Sequence, residues 1–197
     1  MFRFTAPILG AALLLSAASA QETPDISSIS SGEYVMDKTH GYVTFSYSHL
    51  GYSHPILRFD EVDASVTLDS GNPAASSLSV AIDPASVNSG IEKFDTHLKS
   101  GDMFDVESYP GITFTSTAID LDAGTLTGDL TIKDVTKPVT LDVTLNGAGE
   151  HPMKGSDHFG ITATATVDRR DWGLDYFAPA VGTDVDIRIE AEFEKTK

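Results

Sequence analysis

From Tyr42 to the C-terminus, apolar and polar side chains alternate one for one in run after run, and that alternation commits most of the chain to sheet. Val43, Phe45, Tyr47 and His49 interleave with Tyr42, Thr44, Ser46 and Ser48. The same rhythm returns over 62–68, 78–82, 112–114, 126–132, 139–145, 159–167 and 185–193, with a further short set at Tyr34-Val35-Met36. Successive side chains of a strand point to opposite faces, so each run predicts one apolar and one wet face. One wet face per strand is the mark of antiparallel sheet rather than of buried parallel sheet. Eight or nine strands are therefore expected, in one domain, since neither charge nor Gly/Pro content shifts sharply along the chain.

Turn-forming residues fall between the runs, at Asp69-Ser70-Gly71-Asn72-Pro73, Asp122-Ala123-Gly124 and Asn146-Gly147-Ala148-Gly149. Asp134 to Pro138 joins another pair, and Pro138, lacking an N–H, belongs at a strand start or an edge. One segment breaks the rhythm. Ile91, Phe94 and Leu98 recur at helical spacing, and Ser89 with Glu92 has the spacing of a capping box. The prediction is a short helix over 89–98 that plugs or lids one end of the sheet structure, with Phe94, Leu98, Met103 and Phe104 facing inward.

Residues 1–20 read as a cleavable export signal. Met1-Phe2-Arg3 is a basic start, Ala6 to Leu15 is apolar, and Ala18-Ser19-Ala20 supplies small residues for cleavage. The expected location is the periplasm. Residues 21–32 read as a polar, mobile leader, and 33–197 as the folded domain. With 13 Lys and Arg against 29 Asp and Glu, the formal charge of -16 opposes nucleic acid and anionic bilayers, and loss of Arg3 takes it to -17. No later apolar run is long enough to span a membrane as a helix. Cysteine is absent, which removes disulfides, thiolate metal sites and Cys nucleophiles.

No motif for a hydrolase, a phosphate-binding loop or a dinucleotide site is present, and no catalytic residue is assigned. The six histidines, His40, His49, His54, His97, His151 and His158, have no spacing that specifies a metal site. His49, on an inward strand position, is expected as a buried histidine bonded to a main-chain carbonyl. The inward rows mix bulky Phe45, Tyr47, Phe114 and Phe159 with small Gly128, Ala163 and Ala165. Small interior residues either leave volume for a ligand inside a barrel or mark close packing between two sheets, and the pattern leaves both open. A structural or protein-interaction β-domain with a filled core and a metal-dependent hydrolytic enzyme are the alternatives to a ligand-binding barrel.

The chain also resembles a known family. Asp37-Lys38-Thr39-His40, Phe94-Asp95-Thr96-His97-Leu98-Lys99-Ser100, Gly128 to Val139 with its Thr136-Lys137-Pro138, and Arg170-Asp171-Trp172-Gly173-Leu174 occur in the order and spacing of the YceI-like polyisoprenoid-binding proteins. The resemblance runs from about residue 33 to 194. It implies an extended eight-stranded antiparallel, lipocalin-like barrel with a helix near one end, and an apolar channel for an isoprenoid lipid such as a quinone tail or polyprenyl chain. The lining expected from the apolar rows is Phe45, Tyr47, Phe114, Gly128, Phe159, Ala163 and Ala165, with Trp172 added as a ligand-binding residue. Phe94, Leu98, Met103 and Phe104 form the gate, Phe177 the opposing rim, and His49, Asp95 or His97 the few polar contacts. No covalent cofactor is implied. A quinone ligand would bring transient contact with a membrane redox protein; the oligomeric state, a dimer included, is left open.

Two features depart from the family pattern. Ser53-His54-Pro55-Ile56-Leu57-Arg58-Phe59 stands where a Gly-x-Phe element is usual, which predicts a reshaped entrance. Phe94 stands where an arginine is common, which favours a neutral headgroup over a pyrophosphate, unless Lys93 or Lys99 compensates.

Overall fold

A computed structural model describes residues 24–197. The export signal assigned to 1–20 lies outside the described residues. Ten strands follow in chain order: β1 (Gly32–His49), β2 (Ile56–Phe59), β3 (Val62–Leu68), β4 (Ser77–Ile82), β5 (Val87–Asn88), β6 (Ile112–Asp120), β7 (Thr125–Ile132), β8 (Val135–Glu150), β9 (Asp157–Asp168) and β10 (Val181–Lys195). One helix, α1 (Glu92–Lys99), follows β5.

All pairings are antiparallel, and β10 returns to pair with β1, which closes a ring of β1, β3, β4, β6, β7, β8, β9 and β10. This is the expected eight-stranded barrel. β1 is long enough to change neighbours: residues 32–35 pair with β3, whereas 43–46 pair with β2, and β10 runs beside both stretches. A register shift between Met36 and Gly41 separates the two halves. β2 then carries β5, so these two short strands extend the wall at one end only.

The runs of alternation became strands because one face had a core to meet. Val185, Ile187, Ile189, Ala191 and Phe193 of β10 point inward, while Asp184, Asp186 and Arg188 are exposed. Pro138 lies in β8 opposite Asp129 of β7. Pairing of β8 with β9 begins only at Asp142, so the proline sits where the strand has a neighbour on one side only, as a residue without an N–H requires.

Three local expectations are corrected. Asn146 to Gly149 is strand, not turn; the glycines lie in β8 beyond a register shift between Leu145 and Gly147, and the chain reverses at 151–156. The capping box does not form. Asp95, not Glu92, takes the Ser89 N–H at 2.7 Å and the Ser89 hydroxyl at 2.5 Å. The leader is not mobile from Asp25 onward. Ile26 and Ile29 are buried, and Ser30 donates its N–H to Asp157 at 2.9 Å, so the segment caps the barrel end opposite α1.

That closed end is packed solid. Phe193 stacks on Phe159 at 4.8 Å, and Phe159 meets Tyr34 edge-on at 5.4 Å. Outside this plug, Asp37 accepts the Thr39 N–H at 2.9 Å and hydroxyl at 2.6 Å, and the Lys154 ammonium at 3.0 Å. Lys154 also donates to Glu194 at 2.7 Å, tying the 151–156 turn to β1 and β10. These donors, Thr39 first, hold the Asp37 carboxyl far below its ordinary range. A carboxylate depressed by folding adds stability above about pH 4, its unfolded value, and that stability is lost as the pH falls. Asp37→Asn should therefore cost about 1–2 kcal/mol at pH 7, with the gap to the parent shrinking toward pH 2. Urea midpoints measured across that range check this, and a gap independent of pH would rule out the carboxylate as the cause.

Candidate ligand-binding channel

A cavity of about 600 Å³ occupies the barrel between the aromatic plug and α1. Its wall on β10 runs from Val181 to Phe193, and on β1 from His49 down to Met36. Strand rise and the usual barrel tilt put that span at roughly 30 Å along the axis, which makes the space a tube rather than a bowl. Aliphatic and aromatic side chains dominate, and Arg169 is the one charged lining residue among the described residues. This volume lies within the ordinary range of small-molecule sites.

At the open end α1 sits with Leu98 buried against the core and Phe94 half-buried beside it. Phe104 meets Phe59 edge-on at 5.6 Å, and Phe59 stacks on Phe45 at 5.2 Å. Met103 also borders the cavity, so all four residues of the expected gate face it. His97 approaches Tyr176 at 4.8 Å between ring centres, and Tyr176 lies 4.4 Å from Phe177. Trp172 is buried, lines the cavity, and donates its indole N–H to the Leu130 carbonyl at 3.2 Å.

The structure thus brings Phe45, Tyr47, His49, Phe94, His97, Leu98, Met103, Phe104, Phe114, Ala163, Trp172 and Phe177 to one cavity. Four expected residues lie elsewhere. Phe159 is consumed by its stacking in the closed end. Gly128 leaves no void, because the Phe114 ring occupies the place of its missing side chain; a Cβ there would collide with the ring and with the Thr115 carbonyl. Ala165 shares the inward face with its partner Ile187 and packs half-buried against the core, but Ile187 and not Ala165 lines the channel. Asp95 spends its carboxylate on Ser89 and does not line the cavity. His49 is corrected too: it is exposed at the mouth rather than buried on a carbonyl, with its backbone N–H on Ser53 at 2.8 Å.

Arg169 is the residue that sequence reasoning missed. It is buried, and its guanidinium donates to the main-chain carbonyls of Gly182 at 2.9 Å, Val181 at 3.0 Å, Tyr176 at 3.1 Å and Leu174. The loop from Gly173 to Ala180 is folded around this fork. Burial pulls its pKa below the ordinary value, against the opposing charge of Asp168, and burial raises the Tyr47 phenol nearby. An arginine stays charged through such a shift. Its donors are largely spent on carbonyls, so it acts as a staple for the loop. In the segment that departs from the family pattern, Ser53 and Pro55 border the mouth, and Ile56–Phe59 forms β2, with Leu57 almost fully buried. Among the described residues no group of three or more His, Asp or Glu side chains is placed to hold a metal, and no helix is long and apolar enough to cross a membrane.

Residues 34–193 match the YceI-like domain family. The chain belongs to the YceI-like family. Protein YceI of Escherichia coli O157:H7 is 36% identical over 186 residues, covering 92% of each chain. Among solved structures, the YceI-like barrel here superposes on Burkholderia cenocepacia BcnA with a TM-score of 0.71 at 24% identity, over 80% of this chain and 98% of that one. A polyisoprenoid binding domain from Saccharophagus degradans, implicated in plant cell wall breakdown, shares the fold with a TM-score of 0.65 at 16% identity, over 83% of this chain and 98% of that one.

Proposed function

We infer that this YceI-like chain is a periplasmic, non-catalytic carrier that takes one isoprenoid lipid, tail first, into the channel. The observation that carries this reading is the shape and chemistry of the cavity: a tube closed by Tyr34, Phe159 and Phe193, apolar along its length, with polar side chains gathered near the mouth. The Saccharophagus degradans domain of the same fold, described as polyisoprenoid binding, supports the ligand class. A tube of this kind gains about 25 cal/mol per Å² of tail surface withdrawn from water, before ordering costs.

A neutral headgroup of the quinone type suits the mouth. Tyr47, His49 and His97 offer hydrogen-bonding groups, whereas the one lining cation, Arg169, already serves four carbonyls and has little left for a pyrophosphate. A quinone held here would exchange with a membrane redox protein. Organic extraction of protein purified without detergent, followed by mass spectrometry, tests the reading: an isoprenoid lipid in near-stoichiometric amount is expected. A well-folded protein that repeatedly yields none, and takes none up when it is offered, would overturn it.

A further inference from the structure

The mouth of the channel is ringed by apolar side chains left largely exposed to solvent. Tyr52 is 88% exposed, Phe177 66%, Ile91 62% and Leu50 50%. They come from three separate segments that touch one another. His49 pairs with Val181, which sets the 50–52 turn beside the 173–180 loop. Tyr176 of that loop packs on His97 of α1, whose first turn Ile91 precedes.

Backbone conformation adds a second, independent sign. Leu50 and Phe177 both hold left-handed φ values, 53° and 56°. A residue with a Cβ enters that region at a cost, and Asn or Gly would turn the chain there more readily. At both tips the chain instead carries a large apolar side chain pointing into water. Strain kept at such positions is a sign of a site.

Charge identifies the occupant. The protein as a whole is strongly acidic, yet residues 39–57 and 176–183 contain no Asp, Glu, Lys or Arg. The third segment, at Ile91, carries exposed Glu92 and Lys93, one charge of each sign, so the mouth has little net charge with which to draw an anionic or cationic partner. Apolar and tyrosine tips around an opening of little net charge fit the interface of a neutral bilayer, where amphipathic rings sit at headgroup level.

We propose that Leu50, Tyr52, Ile91 and Phe177 dock the channel mouth onto the surface of a neutral phospholipid bilayer, so that lipid passes between membrane and channel without crossing water. This rests on the carrier reading for its purpose but is tested separately from it. The probes are vesicles of phosphatidylcholine and phosphatidylethanolamine, with and without phosphatidylglycerol. The variant is Leu50→Asn with Tyr52→Ser; neither residue lines the channel, and asparagine suits the left-handed backbone.

Full-length mature protein should float with neutral vesicles, more weakly as phosphatidylglycerol is added. The double variant should lose about tenfold in vesicle partitioning and in the rate of quinone transfer between vesicles. Its equilibrium affinity for a short-tailed quinone in vesicle-free solution should match the parent. Parent protein that stays in solution overturns the docking surface, whatever it binds; so does a variant that floats as well as the parent. Parent that floats and a variant that does not, with neither taking up isoprenoid, would uphold the docking and sink the carrier reading instead.

Discussion

Affinity for isoprenoid quinones should climb steeply with tail length and then stop. Each further CH₂ drawn into the channel adds up to about 0.8 kcal/mol, so one isoprene unit is worth several powers of ten at the limit, less the cost of ordering the tail. The rise should end when the tail reaches the Phe159–Phe193 stack, which closes the tube. Salt should matter little, because a neutral headgroup offers no charge to screen. Titration of delipidated protein with quinones of increasing tail length, at low and high salt, reads both slopes. Affinity indifferent to tail length, or falling steeply with salt, would defeat burial in the channel as the source of binding.

Replacing Arg169 with methionine should be among the most damaging single changes in the barrel. Methionine keeps the apolar stem but abandons the carbonyls of Leu174, Tyr176, Val181 and Gly182, which converge on the guanidinium. Leaving such groups without partners at a buried position should cost about 3–5 kcal/mol. At this size that is roughly a 10 °C fall in Tm. The 173–180 loop should become the first site of proteolysis. Arg170→Met is the matched control. Its side chain is half exposed and pairs only with Asp168, so the effect should stay below about 1 kcal/mol. Equal losses for the two arginines would show that the carbonyl fork is not what holds the loop.

Much of the barrel was legible because its eight ring strands each carry a full alternation, and alternation is what a half-buried strand requires. β2 and β5 were missed for the same reason in reverse: four and two residues are too few to display a period. Asn146 to Gly149 misled because glycine beyond a bulge reads like glycine in a turn. Ile26 and Ile29 were lost in a polar run, where two isolated apolar residues carry no pattern. At the site, parity correctly put Phe45, Tyr47, Phe114 and Ala163 on the inside. Parity does not say what fills the space beside a small residue, so Gly128 was taken for a void that the Phe114 ring fills. Nor does Arg169-Arg170 announce which arginine turns inward. That is decided by where four carbonyls of a later loop converge.

The change of neighbours along β1 separates two kinds of opening. Below the register shift at Met36 and Gly41, β1 is locked between β3 and β10 in the eight-membered ring. Above it, the wall opposite β10 is made by β2 and the two-residue β5, with α1 following them. This upper storey can part from the strands below without breaking a bond of the closed circuit. Loading and unloading by the proposed carrier would then draw on a local opening energy, well under that of unfolding. On the proposed carrier reading, a long tail would enter through a compliant doorway while the foundation stays shut.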